Sequence, residues 1–293
     1  MKLYISSILI LITLLLISSC SEVKDNITPS PTIGVHPDGF GDASSPNFHK
    51  FVFRENDWSF NLRECQSCHA ADYSGGYTDQ GCLGCHSQPS GPETCNTCHG
   101  VFANPEFIAP PNDLEDNFES SARGVGAHYK HVYDSTTVST NIGCFECHQV
   151  TTGDDLFVHE HISPPPAKME FGEFSYPDSL NVTPTWNNDL TCSNTYCHGA
   201  FIFKKEYSEN PWAYDQDSIV GNNYSPIWNS TTETEAECGT CHGQEINGQI
   251  TPLPKGHFGS YMKEGCSGCH SSVVNSNGEI IDKMKHINKQ IDR

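Results

Sequence analysis

Residues 82–99 read Cys82-Leu-Gly-Cys85-His86-Ser-Gln-Pro-Ser-Gly-Pro-Glu-Thr-Cys95-Asn-Thr-Cys98-His99. Two Cys-x-x-Cys-His units stand almost end to end. The same unit recurs as Cys65/Cys68/His69, Cys144/Cys147/His148, Cys238/Cys241/His242 and Cys266/Cys269/His270. A seventh, Cys192-Ser-Asn-Thr-Tyr-Cys197-His198, has four residues between its cysteines, and with Cys20 these motifs account for all 15 cysteines.

Cys-x-x-Cys-His is the sequence sign of c-type haem attachment. Two thiols must reach the two vinyl groups on one porphyrin edge and form thioethers, and the adjacent imidazole then lies under the ring to ligate the iron. Zinc ribbons or seven disulfides would also use paired cysteines. Neither requires a His directly after the second Cys. His is 15 of 293 residues, so seven such followers arise by chance on the order of once in a billion chains. A thioredoxin-like motif occurs singly beside a βαβ pattern, which the chain lacks. The reading is therefore seven covalent haems c, held by Cys65, Cys68, Cys82, Cys85, Cys95, Cys98, Cys144, Cys147, Cys192, Cys197, Cys238, Cys241, Cys266 and Cys269. Their proximal ligands are His69, His86, His99, His148, His198, His242 and His270.

Eight histidines remain: His36, His49, His128, His131, His159, His161, His257 and His286. Seven bis-histidine irons need seven distal ligands, so the supply suffices with one spare. His128 and His131 stand at i, i+3 and share a face if their segment is helical. His159 and His161 share a side if theirs is extended. Met169, Met262 and Met284 are weak competitors. Two imidazoles close the coordination sphere, which favours electron exchange over substrate binding.

The composition poses a problem that the haems answer. Leu, Ile, Val and Phe make up 49 of the 274 residues beyond Ser19, and 36 Asp+Glu face 16 Lys+Arg for a net charge of −20. So little apolar area at such a charge ordinarily marks disorder. Large flat macrocycles would replace the missing aliphatic core, and the apoprotein is expected to be unfolded. The negative charge also argues against nucleic-acid binding.

The first residues give an address. Met1-Lys2 precedes an apolar run from Leu3 to Ile17 and the small residues Ser18-Ser19. This is a secretory-signal pattern, too short for an ordinary membrane span of about 20 residues. Ile17-Ser-Ser-Cys20 resembles a bacterial lipobox, so residues 1–19 read as signal peptide and Cys20 as the lipidation site, with 20–33 a lipidated N-terminus and polar tether. By analogy with bacterial lipoproteins, Ser21 after that Cys favours the outer membrane.

Two block types recur beyond the tether. One runs from Gly126-Ala-His128 through Cys144-x-x-Cys147-His148 to His161-Ile162, and again from Gly256-His257 through Cys266-x-x-Cys269-His270 to His286-Ile287. The other runs from Pro184-Thr-Trp186-Asn187 to Cys192…Cys197-His198-Gly199, and from Pro226-Ile-Trp228-Asn229 to Cys238-x-x-Cys241-His242-Gly243. Residues 116–293 thus form a four-haem region ordered A-B-B-A, after an N-terminal triple-haem region at 34–115. From His86 to Cys95 the nine-residue step spans at most ~32 Å, so those two haems are near neighbours.

With 18 Pro and 24 Gly, the expected fold is irregular: mostly coil with short α-helices and little β, wrapped around a haem array. Helical turns are expected at the motifs, modest helices near 119–133, 231–242 and 279–290, and a short strand at Phe201–Tyr207. Trp58, Trp186, Trp212 and Trp228 are expected to pack on porphyrin edges.

The chain resembles the CxxxxCH/CXXCH multihaem c-type cytochromes of metal-reducing and related bacteria. The resemblance rests on Val35-His36-Pro-Asp-Gly, Cys65-Gln-Ser-Cys68-His-Ala-Ala-Asp-Tyr-Ser-Gly-Gly, Gly91-Pro-Glu-Thr-Cys95-Asn-Thr-Cys98-His-Gly, Ala122-Arg-Gly-Val-Gly-Ala-His128 and Thr191-Cys-Ser-Asn-Thr-Tyr-Cys197-His-Gly. It implies a periplasmic or cell-surface electron carrier of the outer-membrane lipoprotein type, and the wide Cys192/Cys197 spacing fits it.

The expected function is electron transfer, across or at the outer membrane, to an extracellular or membrane acceptor. Partners would be other cytochromes or outer-membrane conduit proteins, with the membrane reached through the lipid anchor. Two alternatives stand beside it. One is a reductase of nitrite, sulfite or a similar oxyanion with one open haem, against which stand the acidic surface and the lack of a Cys-x-x-Cys-Lys site. The other is a subunit of a haem-lined conductive assembly.

Overall fold

The computed structural model describes residues 35–56, 61–104, 107–108, 113–134, 138–148, 167–232 and 234–293. The signal segment, Cys20, Trp58, His159 and His161 lie outside them. The chain divides into two compact units, Met1–Val52 and Phe53–Arg293.

In the first unit, residues 38–49 form successive turns. The N–H groups of Asp42, Ser45 and Phe48 donate to the carbonyls of Gly39, Asp42 and Ser45. His36 stacks on Phe40 with centroids 4.1 Å apart. His49 donates from Nδ1 to the Phe40 carbonyl at 3.1 Å and packs on Phe48.

The second unit holds all seven motifs and has little regular structure. Helix α1 (His49–Glu55) leads into it, followed by α2 (Leu62–His69), α3 (His128–Val132) and α4 (Lys283–His286). Asn61 caps α2 from its side chain to the N–H of Arg63, and Asp282 caps α4 to the N–H of Met284. Each cap satisfies a donor that the first helical turn leaves open. The strands form three antiparallel two-stranded ladders: β1 (Thr185–Trp186) with β2 (Cys192–Ser193), β3 (Ile202–Lys204) with β4 (Ser218–Val220), and β5 (Gln244–Ile246) with β6 (Gln249–Thr251).

The irregular architecture expected from the sequence, mostly coil with short helices and little strand, is what the described residues adopt. Its helices are shorter than anticipated. The expected span 119–133 is helical only from His128, because Gly124 and Gly126 interrupt it and Gly126 takes φ +46°. Among the described residues of 231–242, a 3₁₀ turn at Thr234–Ala236 stands where a helix was expected. The expected strand at 201–207 stops at Lys204 and continues as a 3₁₀ turn, Lys205–Tyr207.

The apolar interior is equally slight. Leu62, Tyr73, Val125, Tyr196, Ala200, Tyr214, Ile219, Leu253 and Val273 are the buried apolar residues among those described. Six of them, Leu62, Tyr196, Tyr214, Ile219, Leu253 and Val273, line one large cavity rather than packing against each other alone. The aliphatic deficit read from composition is thus a real gap in the protein core.

Candidate functional site

Most attachment motifs fold as a single tight turn, and the spacing explains why. In four of them the carbonyl of the first Cys accepts from the N–H of both the second Cys and the His. For Cys82, Cys95, Cys144 and Cys266 the bonds to the His N–H are 2.9, 3.0, 2.9 and 2.9 Å. One turn therefore carries both thiols and the imidazole. The first motif achieves the same within α2.

The wide motif is built differently. Cys192 sits on β2 opposite Trp186, and its turn starts only at Thr195, whose carbonyl accepts from His198 N–H at 3.1 Å. The two additional residues carry the chain from ladder to turn. Gly199 then takes φ +89°, with a side chain at that point running into the Cys241 carbonyl. Only glycine allows this motif to lie back to back with the next one. Asn222 and Tyr224 bind the pair together: Asn222 N–H donates to the Cys241 carbonyl at 2.8 Å and Tyr224 N–H to the His198 carbonyl at 3.0 Å.

Five motifs, from Cys95 to His270, open on one cavity of about 2070 Å³. Single drug-sized ligands occupy roughly 300–1,000 Å³, so this space suits several large groups. None of the 14 motif cysteines is joined in a disulfide, and among the described residues no three His, Cys, Asp or Glu side chains converge as a metal cage. What converges is histidines in twos.

Four pairs meet across the cavity. His128 and His148 have ring centroids 6.2 Å apart with planes at 26°. His131 and His198 are 6.2 Å apart at 73°, His242 and His286 6.0 Å at 64°, and His257 and His270 6.5 Å at 51°. An imidazole nitrogen sits about 2.0–2.1 Å from its metal and about 1.1 Å from its ring centre, so two rings on opposite sides of one iron have centres roughly 6.2 Å apart. Each pair contains the His of one motif and one His from outside any motif.

Hydrogen bonding prepares these rings. His128 donates from Nδ1 to the Val125 carbonyl at 2.8 Å, and His131 to Ala127 at 2.9 Å. His148 donates to Lys168 at 3.1 Å, His242 to Pro252 at 2.7 Å, His257 to Phe258 at 2.9 Å and His286 to Val138 at 2.7 Å. His270 donates to the carbonyl of Asp292. A carbonyl can only accept, so Nδ1 carries the proton and Nε2 keeps its lone pair for a metal. Burial holds His198 neutral, down at about 3, and His128 at about 4, and it lowers His131, His242 and His286 as well.

The first two motifs lie outside the lining of that cavity, whereas the third belongs to it. His69 donates from Nδ1 to the Gln80 carbonyl at 2.7 Å. His86 meets Phe102 edge-on, 5.2 Å between centroids, beside a small cavity of about 200 Å³. His99 lines the large cavity.

Trp186, Trp212 and Trp228 line that cavity, and Trp228 stands directly against imidazoles, 4.7 Å from His128 and 5.9 Å from His131.

Residues 191–242, from the β2 cysteine to the His of the next motif, match the family described as the Geobacter CxxxxCH...CXXCH motif. This stretch is a multihaem c-type cytochrome motif. The CxxxxCH...CXXCH match coincides with the two back-to-back motifs held by Gly199, Asn222 and Tyr224. No curated protein and no solved structure matches the chain. The CxxxxCH...CXXCH family supports covalent haem c and electron transfer in general terms.

The pairing itself was only partly legible in sequence. Between positions 162 and 256 the sole histidines are His198 and His242, so the two B blocks hold no second ligand of their own. The rings that face His198 and His242 are His131 and His286, both from outside the B blocks. Each A block pairs its leading His, His128 or His257, with its own motif.

Proposed function

We propose that the protein carries electrons through seven covalent haems c. Four irons are held by His128/His148, His131/His198, His242/His286 and His257/His270. The single observation that carries this reading is the 6.0–6.5 Å spacing of those four ring pairs. The three N-terminal motifs need three further second ligands, and the sequence holds four unassigned histidines, His36, His49, His159 and His161.

Haem held from both sides supplies one-electron exchange at the iron without an open coordination position. The chain supplies the rest. Its carbonyls fix seven of the eight paired imidazoles, all but His198, as Nδ1–H tautomers, which orients the rings and strengthens Nε2 as a donor. Its short turns keep neighbouring sites close: His128 and His131 are one helical turn apart on α3 yet serve different motifs. Burial favours the neutral form of His128, His131, His198, His242 and His286. Exported through residues 1–19 and anchored by lipid at Cys20, the molecule passes electrons at the outer membrane between other cytochromes or conduit proteins and an outside acceptor.

The test is carbon monoxide added to the dithionite-reduced full-length holoprotein. No adduct and a wholly low-spin spectrum are expected. An adduct at about one iron in seven, together with oxyanion reduction, overturns the carrier reading in favour of a reductase. Whole-protein mass checks the haem count and the acylation of Cys20 in the same sample.

A further inference from the structure

The inference rests on the axial pairing proposed above and concerns a residue outside it. We infer that Trp228 is a positioning residue for two irons at once, orienting the second imidazole of each.

An axial imidazole can rotate about its bond to the metal unless something holds it. His128 and His131 are each held twice. One restraint is the bond from Nδ1 to a carbonyl, Val125 for His128 and Ala127 for His131. The other is the Trp228 indole, which meets His128 edge-on at 87° and lies nearly flat on His131 at 25°. One side chain thus bears on ligands of two different motifs.

The same indole also sets the first restraint. Its Nε1–H donates to the Arg123 carbonyl at 2.8 Å, and the neighbouring Asn229 side chain donates to the Ser121 carbonyl at 2.8 Å. These two bonds clamp the 121–127 turn whose carbonyls hold both imidazoles. Gly126 at φ +46° is where this turn passes the indole, and any side chain there would run into it.

Trp228 is itself immobilised from behind. Its N–H donates to the Leu190 carbonyl at 2.7 Å, and Trp186, its counterpart in the other B block, meets it edge-on at 6.2 Å. The repeated Pro-x-Trp-Asn stretches therefore converge on one wedge, and only the second one touches the ligands of α3.

The experiment is low-temperature electron paramagnetic resonance with a potentiometric titration of the full-length ferric holoprotein. The two relevant lines are those lost in His128→Ala and His131→Ala. In Trp228→Leu both lines shift, together with their two midpoint potentials, and the other five stay in place. Gly126→Ala, which displaces the indole by another route, shifts the same two. Trp228→Phe, which retains a ring without the N–H, returns both lines part of the way. Trp212→Phe, on the His257 side through Phe258, leaves both unmoved. The inference is overturned if Trp228→Leu moves no line, moves all seven together, or is matched by Trp228→Phe. Failure of the axial pairing is distinguishable, because His128→Ala and His131→Ala would then remove no line from the parent spectrum.

Discussion

The imidazoles of His242 and His286 lie 6.0 Å apart, although 44 positions separate them and a complete motif, Cys266–His270, stands between. His286 is anchored at its other nitrogen to Val138 in a distant part of the same unit. A helix of one turn, α4, delivers it. That imidazole is thus placed by long-range contacts rather than by its neighbours in sequence.

Replacing His286 by Ala should leave haem attachment intact, since Cys238 and Cys241 remain, while opening one iron. Carbon monoxide should then bind one haem in seven in the reduced variant. Unaltered low-spin spectra in His286→Ala would refute the pairing.

The ring planes differ from pair to pair, which should be visible magnetically. Parallel imidazoles reinforce each other's π donation and split the iron d orbitals, whereas crossed rings cancel it and leave them nearly degenerate. The His128/His148 iron, at 26°, is expected to give an ordinary rhombic ferric signal. The His131/His198 iron, at 73°, should give a strongly anisotropic one with a larger maximal g value. Loss of the rhombic line in His131→Ala, with survival in His128→Ala, would contradict the assignment.

Acid should strip the ligands in a definite direction. A buried His whose folded pKa is depressed binds its proton more readily when released, so stability is full above the free value near 6.5 and declines as pH falls toward the folded value. For His198 and His128 that window runs from about 6.5 to about 3 and about 4. Iron coordination requires the same neutral ring and acts in the same sense. Spectrophotometric titration should show low-spin bands stable at neutral pH and lost progressively in this window. Loss on raising the pH from 7 to 9 would have the wrong sign.

Gly199→Ala probes the wide motif. The left-handed backbone alone costs a non-glycine residue about 1–2 kcal/mol, and the added methyl must also displace the Cys241 carbonyl. Thermal unfolding should occur earlier by several degrees, with the largest spectral change at the His198 and His242 haems. An unchanged midpoint would show that the two motifs are not held back to back.

Without attachment the fold should fail. A chain exported by cells lacking cytochrome c maturation has only the slight apolar interior around Leu62, Tyr196, Tyr214, Ile219, Leu253 and Val273 to offset chain entropy. Circular dichroism should report coil and proteases should degrade it rapidly. A compact, protease-resistant apoprotein would be the contrary result.

The motifs and their single-turn conformation were readable because attachment chemistry is local: both thiols and the imidazole must lie within one turn. The coil-rich architecture was readable for a related reason, since too few aliphatic residues leave no alternative. A helix over His128 and His131 was expected within 119–133, and its start was not, because Gly126 lies against Trp228, 102 positions away. The partner of His198 was hidden for the same reason. No local pattern connects it to His131, 67 positions earlier, which meets it from α3.

On the proposed axial pairing, the lending of imidazoles between blocks bears on how such a gene can grow. A B block copied alone would bring one more porphyrin with a single imidazole, and hence a vacant iron open to gases and peroxide. An A block brings its own pair and, with His131 or His286, something to lend. Lengthening without toxicity therefore requires duplicating donor and borrower together, so the heritable unit of extension is larger than the unit that attaches one haem.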